Sequence, residues 1–168
     1  MPRQNRTCVN LTIGRIKRNE GKILLSLIDS LADYENLKRP SASARKRLLR
    51  DGFGKNKRFD GYLAFIDKKA VGYAIIFETY SSFLALPTLY LEDIFILPGY
   101  RSQGIGRKLF SVCLLEAQKR GCGRMDWVVL DWNKPAIKFY RKIGARRLGE
   151  WFTYRIDGKN FKEILSNL

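Results

Sequence analysis

Between residues 8 and 13 apolar and polar positions alternate, with Val9, Leu11 and Ile13 on one side, which predicts a strand with one buried face that stops at Gly14. From Arg18 to Leu37 the period changes. Ile23, Leu24, Leu27, Ile28, Leu31 and Tyr34 recur at helical spacing, so a helix is predicted that ends before Pro40. Ser41 or Ser43 can cap a second helix running through Leu48 and Leu49, and Asp51-Gly52-Phe53-Gly54 terminates it. Strands are predicted at 61–66 and 70–79, joined by the charged turn Asp67, Lys68 and Lys69. The run 89–97 reads as a buried strand closed by Pro98, with Tyr90, Ile94, Phe95 and Ile96 favouring pleated structure and Glu92 and Asp93 interrupting its apolar face. Gly104 and Gly106 then open an amphipathic helix to Gly121, carrying Leu109, Phe110, Val112, Cys113, Leu114 and Ala117. A strand at 124–130, a short helix at 133–143 with Pro135 in its first turn, strands at 145–150 and 152–156, and a helix at 158–166 complete the chain.

No repeat, low-complexity stretch or linker interrupts this order, and 168 residues with 45% hydrophobic content suit one domain over 1–168, with residues 1–6 expected to be flexible. The start is polar and basic without an apolar core region, and no apolar run approaches a membrane span, so a soluble, cytoplasmic protein without membrane partners is expected.

Charge narrows the partner. Lys and Arg number 32 against 16 Asp and Glu, a formal charge of +16, which favours an anion: nucleic acid, phosphates or an acidic surface. The excess is uneven. Residues 1–60 hold 15 basic and 6 acidic side chains and residues 132–168 hold 9 and 3, whereas residues 78–131 hold 6 of each. The clusters are Arg45, Lys46, Arg47 and Arg50, then Lys55, Lys57 and Arg58, and finally Arg141, Lys142, Arg146 and Arg147.

Histidine is absent, which removes imidazole bases, Ser-His-Asp triads and His-ligated metals, and no metal is expected. The three cysteines, Cys8, Cys113 and Cys122, form no C-x-x-C pair, and Cys113 lies among apolar residues as a buried thiol rather than a nucleophile.

Arg101-Ser102-Gln103-Gly104-Ile105-Gly106 joins a strand to a helix. Glycines there permit close backbone approach, first-turn amides lack intrahelical partners, and the helix dipole adds positive charge, so a pyrophosphate fits. The loop is neither a Walker loop nor a full G-x-G-x-x-G fingerprint. Its surroundings are more specific. Leu91-Glu92-Asp93-Ile94-Phe95-Ile96-Leu97-Pro98, then Tyr100-Arg101-x-x-Gly104-x-Gly106, then Asn133-x-Pro135-Ala136-Ile137-x-Phe139-Tyr140-x-x-x-Gly144-Ala145 resemble, in this order, the GNAT superfamily of acetyl-CoA-dependent N-acetyltransferases. Leu31-Ala32-Asp33-Tyr34-Glu35, Leu48-Leu49-Arg50-Asp51-Gly52-Phe53-Gly54 and Leu91-Glu92-Asp93 look like the diamine acetyltransferase branch, which includes spermidine/spermine and thialysine N-acetyltransferases. The resemblance covers about residues 8 to 165.

That likeness implies an α/β (α+β) fold: a mixed, bent sheet of about seven strands with helices on both sides, splayed between the strands at 89–97 and 124–130 to admit acetyl-CoA. It implies that backbone groups of Ile94, Phe95 and Ile96 pair with the pantetheine arm. Gln103, Gly104, Ile105, Gly106 and Arg107 would hold the pyrophosphate, Arg101, Arg107 and Lys142 would supply further charge near the phosphates, and Asn133, Pro135 and Ala136 would line the cofactor side, with Ser102 and Tyr140 also among the cofactor-binding residues. Tyr34, Glu35, Glu92, Asp93, Asp126, Trp127, Val128 and Glu150 fall near the amine. A homodimer is implied as well.

The chemistry agrees. An alkylamine with a pKa near 10.4 is neutral at pH 7 only on the order of one part in a thousand, so the attack needs a base. With no histidine, Glu92 is the candidate, its pKa raised by burial and by Asp93, acting through water. Tyr140 is the candidate acid, able to donate to a departing CoA thiolate whose thiol resembles cysteine at about 8.5. One departure bears on the acceptor. Where polyamine-specific members carry an acidic residue in the stretch matching 79–83, this chain has Ser81 and Ser82. The expected activity is acetyl transfer from acetyl-CoA to a primary amine, a diamine- or polyamine-like small amine favoured. The alternatives are a protein amine as acceptor, or a basic nucleic-acid-binding protein on this fold.

Overall fold

A computed structural model describes residues 10–168. Cys8, Val9 and the first six residues, on which expectations were placed, lie outside the described residues. The chain forms two compact units, Met1–Val128 and Val129–Leu168.

In the first unit the alternating start becomes strand β1, Leu11–Arg15, and the helical period becomes α1, Gly21–Tyr34, preceded by a 3₁₀ turn at Arg18–Glu20. Helix α2, Ala42–Phe53, is capped by Ser41, whose hydroxyl accepts from the Ala44 amide at 3.2 Å. Strands β2, Asp60–Ile66, β3, Lys69–Ser81, and β4, Leu86–Ile96, form an antiparallel meander, then α3, Ile105–Lys119, leads to β5, Arg124–Asp126. The sheet order is β1-β2-β3-β4-β5, antiparallel throughout except for the parallel β4–β5 pair that the α3 crossover requires.

Ile16, Leu24, Leu27, Leu63, Tyr73, Ile75 and Phe95 make one buried cluster that binds α1 to the sheet. Helix α3 buries Ile105, Leu109, Phe110, Cys113 and Ala117 and packs on β2, β3, β4 and β5.

Two irregularities shape the sheet. Ile75 faces Asp93 but Ile76 faces Leu91, so Glu92 is an extra residue in β4, a β-bulge. The β4–β5 ladder covers only Thr88–Arg124, Leu89–Met125 and Tyr90–Asp126, so β5 ends its pairing just before the bulge. The strand expected over 124–130 is accordingly short, and the sheet opens where the splay was expected.

In the second unit, Asn133 caps α4, Lys134–Lys142, by accepting from the Ala136 amide, and Pro135 sits in the first turn. A 3₁₀ turn at Gly158–Asn160 leads into α5, Phe161–Asn167. The strands expected at 145–150 and 152–156 are absent, and among the described residues the sheet has five strands rather than about seven. Residues 152–156 alternate, but neither stretch has a ladder partner among the described residues, and Trp151, Phe152 and Tyr154 are 75%, 80% and 89% exposed. Among the described residues no helix is long and apolar enough to cross a membrane.

Candidate active site

The turn after β4 has the geometry an anion needs. Gly104 caps α3 with φ of +79°, in the left-handed region where side chains are disfavoured, and Ser102 shares that sign at +62°. Nothing lies within 4 Å of where a Cβ would stand at Gly104, so the glycine answers to backbone conformation rather than crowding. Ser102, Gln103 and Arg107 are exposed around this turn, and Ile105 is buried, pinning α3 to the sheet.

Arg101 packs between α1 and β4. Its Nε donates to the carbonyl of Ile96 at 2.9 Å, and its guanidinium lies 4.2 Å from the ring centre of Tyr34 and 5.5 Å from that of Phe95. In this state its charge is spent on the wall between α1 and β4, not on the turn.

On the α1 side of the sheet the expected acceptor residues converge. Tyr73, buried in β3, donates from its hydroxyl to Asp93 Oδ2 at 3.1 Å. Desolvation pushes the Asp93 carboxyl up to about 6, opposed by the Tyr73 hydrogen bond and reinforced by the charges of Glu92 and Glu35. Glu35, at the end of α1, is raised by burial. Tyr73 itself is held well above the ordinary phenol range by burial and by Asp93.

Burial was expected to raise Glu92. The structure corrects this: Glu92 is exposed, and the desolvated carboxylate is its neighbour Asp93. The bulge is the physical cause, because an inserted residue shifts the pleat by one and gives two successive side chains different surroundings.

Of the remaining acceptor candidates in the first unit, Asp126 is held by Arg124 at 3.0 Å, Trp127 meets Phe110 edge-on at 5.4 Å, and Val128 is 64% exposed. Ser81 is buried and its hydroxyl accepts from the Leu84 amide at 3.3 Å, so it builds the β3–β4 turn.

In the second unit, Tyr140 lies on α4 beside Phe139, ring centres 5.5 Å apart, and burial pushes its phenol up to about 12. Asn133 and Pro135 serve the helix start as described, Ala136 follows them, and Lys142 and Glu150 are exposed. Cys113, buried in α3, is pushed up to about 12 by desolvation, which makes it an inert core thiol. Tyr73 was missed by sequence reasoning, because a tyrosine in an apolar strand looks like core, and only its pairing with Asp93 distinguishes it.

A sheet that opens beside a bulged strand, followed by a glycine turn with left-handed backbone at a helix start, is the arrangement that the GNAT resemblance implies. The chain belongs to the acetyltransferase (GNAT) family, whose sequence profile matches residues 25–145. It is 34% identical over 166 residues to the thialysine N-epsilon-acetyltransferase of Sus scrofa, covering 92% of this chain and 97% of that one. It is 40% identical over 98 residues to the L-ornithine N5-acetyltransferase NATA1 of Arabidopsis thaliana, covering 58% of this chain and 43% of that one.

Among solved structures, an integron cassette protein of V. cholerae superposes with a TM-score of 0.76 at 24% identity, over 92% of this chain and 97% of the other. The aminoglycoside N-acetyltransferase AAC(6')-Iy in complex with CoA superposes with a TM-score of 0.69 at 19% identity, over 90% and 97%. The fold is thus the mixed α/β fold of this family, and the protein is an N-acetyltransferase that takes acetyl-CoA as donor and an amine as acceptor.

Proposed function

We propose that the acceptor is the side-chain or terminal ammonium of a short diamine or basic amino acid, acetylated by direct attack on the thioester. The observation that carries this reading is the group of three carboxylates, Glu35, Glu92 and Asp93, gathered about the bulge with the Tyr73 hydroxyl. Carboxylates stabilise an arriving ammonium, and the ionised form of Asp93 holds it best. The relatives named for thialysine and ornithine support a short, basic amine. Ser81, occupied in its own turn, offers no carboxylate for a second ammonium, which favours a short acceptor over a long polyamine.

Acetyl-CoA is read as lying along the open edge of β4, its pantetheine amide groups meeting Ile94 and Ile96 and its pyrophosphate meeting the Gly104 turn. Glu92, exposed to water, takes the ammonium proton through a water molecule. The amine nitrogen then bonds to the carbonyl carbon, the carbon–sulfur bond breaks, and the electron pair leaves with sulfur. Tyr140, protonated because its phenol sits near 12, donates to the thiolate and is reprotonated from solvent. Its assignment rests on the Asn133–Gly144 motif and on this protonation state. The whole chain is read as one catalytic domain.

A homodimer is the favoured assembly. The stretch 146–156, which joins no sheet, has exposed Trp151, Phe152 and Tyr154, apolar surface that a second copy would cover. Sedimentation of the purified protein tests this, a monomer at micromolar concentration being the contrary result.

The test of function is release of free CoA from acetyl-CoA with thialysine, ornithine, lysine, putrescine and spermidine compared at equal concentration. Turnover favouring the short basic amines is expected. Turnover only with an aminoglycoside or a peptide amine would overturn the acceptor assignment.

A further inference from the structure

The basic excess of residues 1–60 is not absorbed by acetyl-CoA, and its placement is specific. Arg39 and Arg45 are neutralised within the fold by Asp33 and Asp29. The next group is only partly so. Arg50 donates to Asp51 at 2.8 Å, and Asp51 is held below the usual carboxylate range by that bond first and then by the charges of Arg50, Arg58 and Arg47. One guanidinium is thus bonded to this carboxylate, and those of Arg47 and Arg58 lie near enough to act on it by charge.

Beside them lies a cavity of about 360 Å³ lined by Arg18, Leu49, Arg50, Phe53 and Gly54. Its lining joins two apolar side chains, one of them an aromatic ring, with two arginines. Lys46 on α2 and Lys55 and Lys57 in the loop that follows it are exposed, and none of them, nor Arg18, Arg47 or Arg58, has an ion pair among the described residues.

We infer that the face formed by α2 and the loop 54–58 binds single-stranded nucleic acid, its phosphates on the arginines and a base over Leu49 and Phe53. Guanidinium groups recognise phosphate through paired hydrogen bonds, and a ring beside a basic groove is how single strands are held without sequence preference. A mononucleotide would use the cavity and leave the lysines idle. An acidic peptide would use the charge and leave the apolar side chains idle. This binding is separate from acetyl transfer, since Arg47, Arg50 and Arg58 have no part in the proposed reaction.

The experiment is fluorescence anisotropy of a labelled oligouridine of about 20 nucleotides with the full-length enzyme over a salt series. Saturable binding is expected, with affinity falling steeply as salt rises. Arg47→Gln/Arg50→Gln/Arg58→Gln should weaken it at least about tenfold and flatten the salt dependence by about two units of slope. Lys55→Gln/Lys57→Gln, which disturbs no intrachain bond, should weaken it several-fold. CoA release on a small amine should be unchanged in both variants. Absence of binding at low salt, undiminished binding by the two variants, or equal displacement by polyglutamate would overturn the inference, the last pointing to an acidic protein partner.

Discussion

The Tyr73 hydroxyl donates at 3.1 Å to Asp93 Oδ2, one residue past the bulge that leaves Glu92 exposed. The bulge thus gives two adjacent carboxylates different surroundings. Asp93, desolvated and anchored, is suited to hold charge in place, whereas Glu92, in contact with water, is suited to move a proton.

Asp93 gives the pH dependence a sign. Its folded carboxyl titrates at about 6, above the ordinary 3.8, so between those values the folded protein holds a proton that the unfolded chain has released. Stability therefore declines as pH rises across that window and levels off above it. Asp93→Asn should stabilise the protein above about pH 6 by about 2 kcal/mol, with no gain near pH 4, as thermal unfolding at both pH values will check. The same variant should raise KM for the amine at neutral pH, and the wild-type rate at low amine concentration should fall below about pH 6.

Glu92 and Tyr140 should separate from Asp93 in their kinetics. Glu92→Gln and Tyr140→Phe should each lower kcat by about 100-fold with KM for acetyl-CoA little changed, the range expected when a positioned proton-transfer group is lost. Because the Tyr140 phenol sits near 12, it stays protonated through neutral and mildly alkaline pH. The wild-type rate should accordingly show no alkaline loss below about pH 10 from this residue. A pH profile of kcat checks it.

Much of this site was legible in the sequence because its chemistry sits on local patterns. The Arg101–Gly106 turn lies between a strand signal and a helix signal, and the left-handed Gly104 is where such a turn needs a glycine. The pairing of Glu92 with Asp93 was visible, but which of them is desolvated was not. A bulge changes the parity of a strand and leaves no mark in alternation alone. The strands expected at 145–150 and 152–156 failed for a related reason: periodicity reports a face that prefers burial, while a strand also needs a neighbour's backbone. Arg101 was read as a phosphate ligand from its position, and only three dimensions put Tyr34 beneath it.

The two glycines of the turn should respond in opposite ways to alanine. Gly104 has φ of +79°, so Gly104→Ala strains the backbone and should cost about 1 kcal/mol of stability. Gly106 is helical, and a Cβ there would meet only Ile96 Cγ1 at 3.7 Å, so Gly106→Ala should hold or raise stability. Both should raise KM for acetyl-CoA several-fold if the pyrophosphate approaches the first-turn backbone closely. Thermal unfolding and CoA titration calorimetry on the pair separate strain from lost approach, and unaltered CoA affinity in Gly106→Ala would remove the phosphate from this turn.

The far end of α3 should govern stability rather than chemistry. Arg120 donates to Asp60 at 2.6 Å, Glu116 at 3.0 Å and Glu78 at 3.1 Å, and Arg15 donates to Asp60 at 2.8 Å and Glu116 at 3.1 Å. This network ties α3 to β1, β2 and β3. Burial is the largest single influence on Glu116 and acts to raise it, but the hydrogen bond from Arg120 together with the charges of Arg15, Arg120 and Lys119 outweighs it, and its pKa falls below 4.5. Its contribution is therefore complete above about pH 4.5 and is lost as pH falls through the folded value. Arg120→Gln leaves Glu78 without its cation and Asp60 and Glu116 with Arg15 alone. The groups are mostly but not fully buried, so the cost should be about 2 kcal/mol rather than the larger penalty of a sealed pair. Melting temperature should drop by about 6 °C at neutral pH. The gap between wild type and variant should narrow in high salt and below about pH 4, while kcat on a small amine stays the same; an equal gap at all pH values would assign the loss to packing of the Arg120 stem instead.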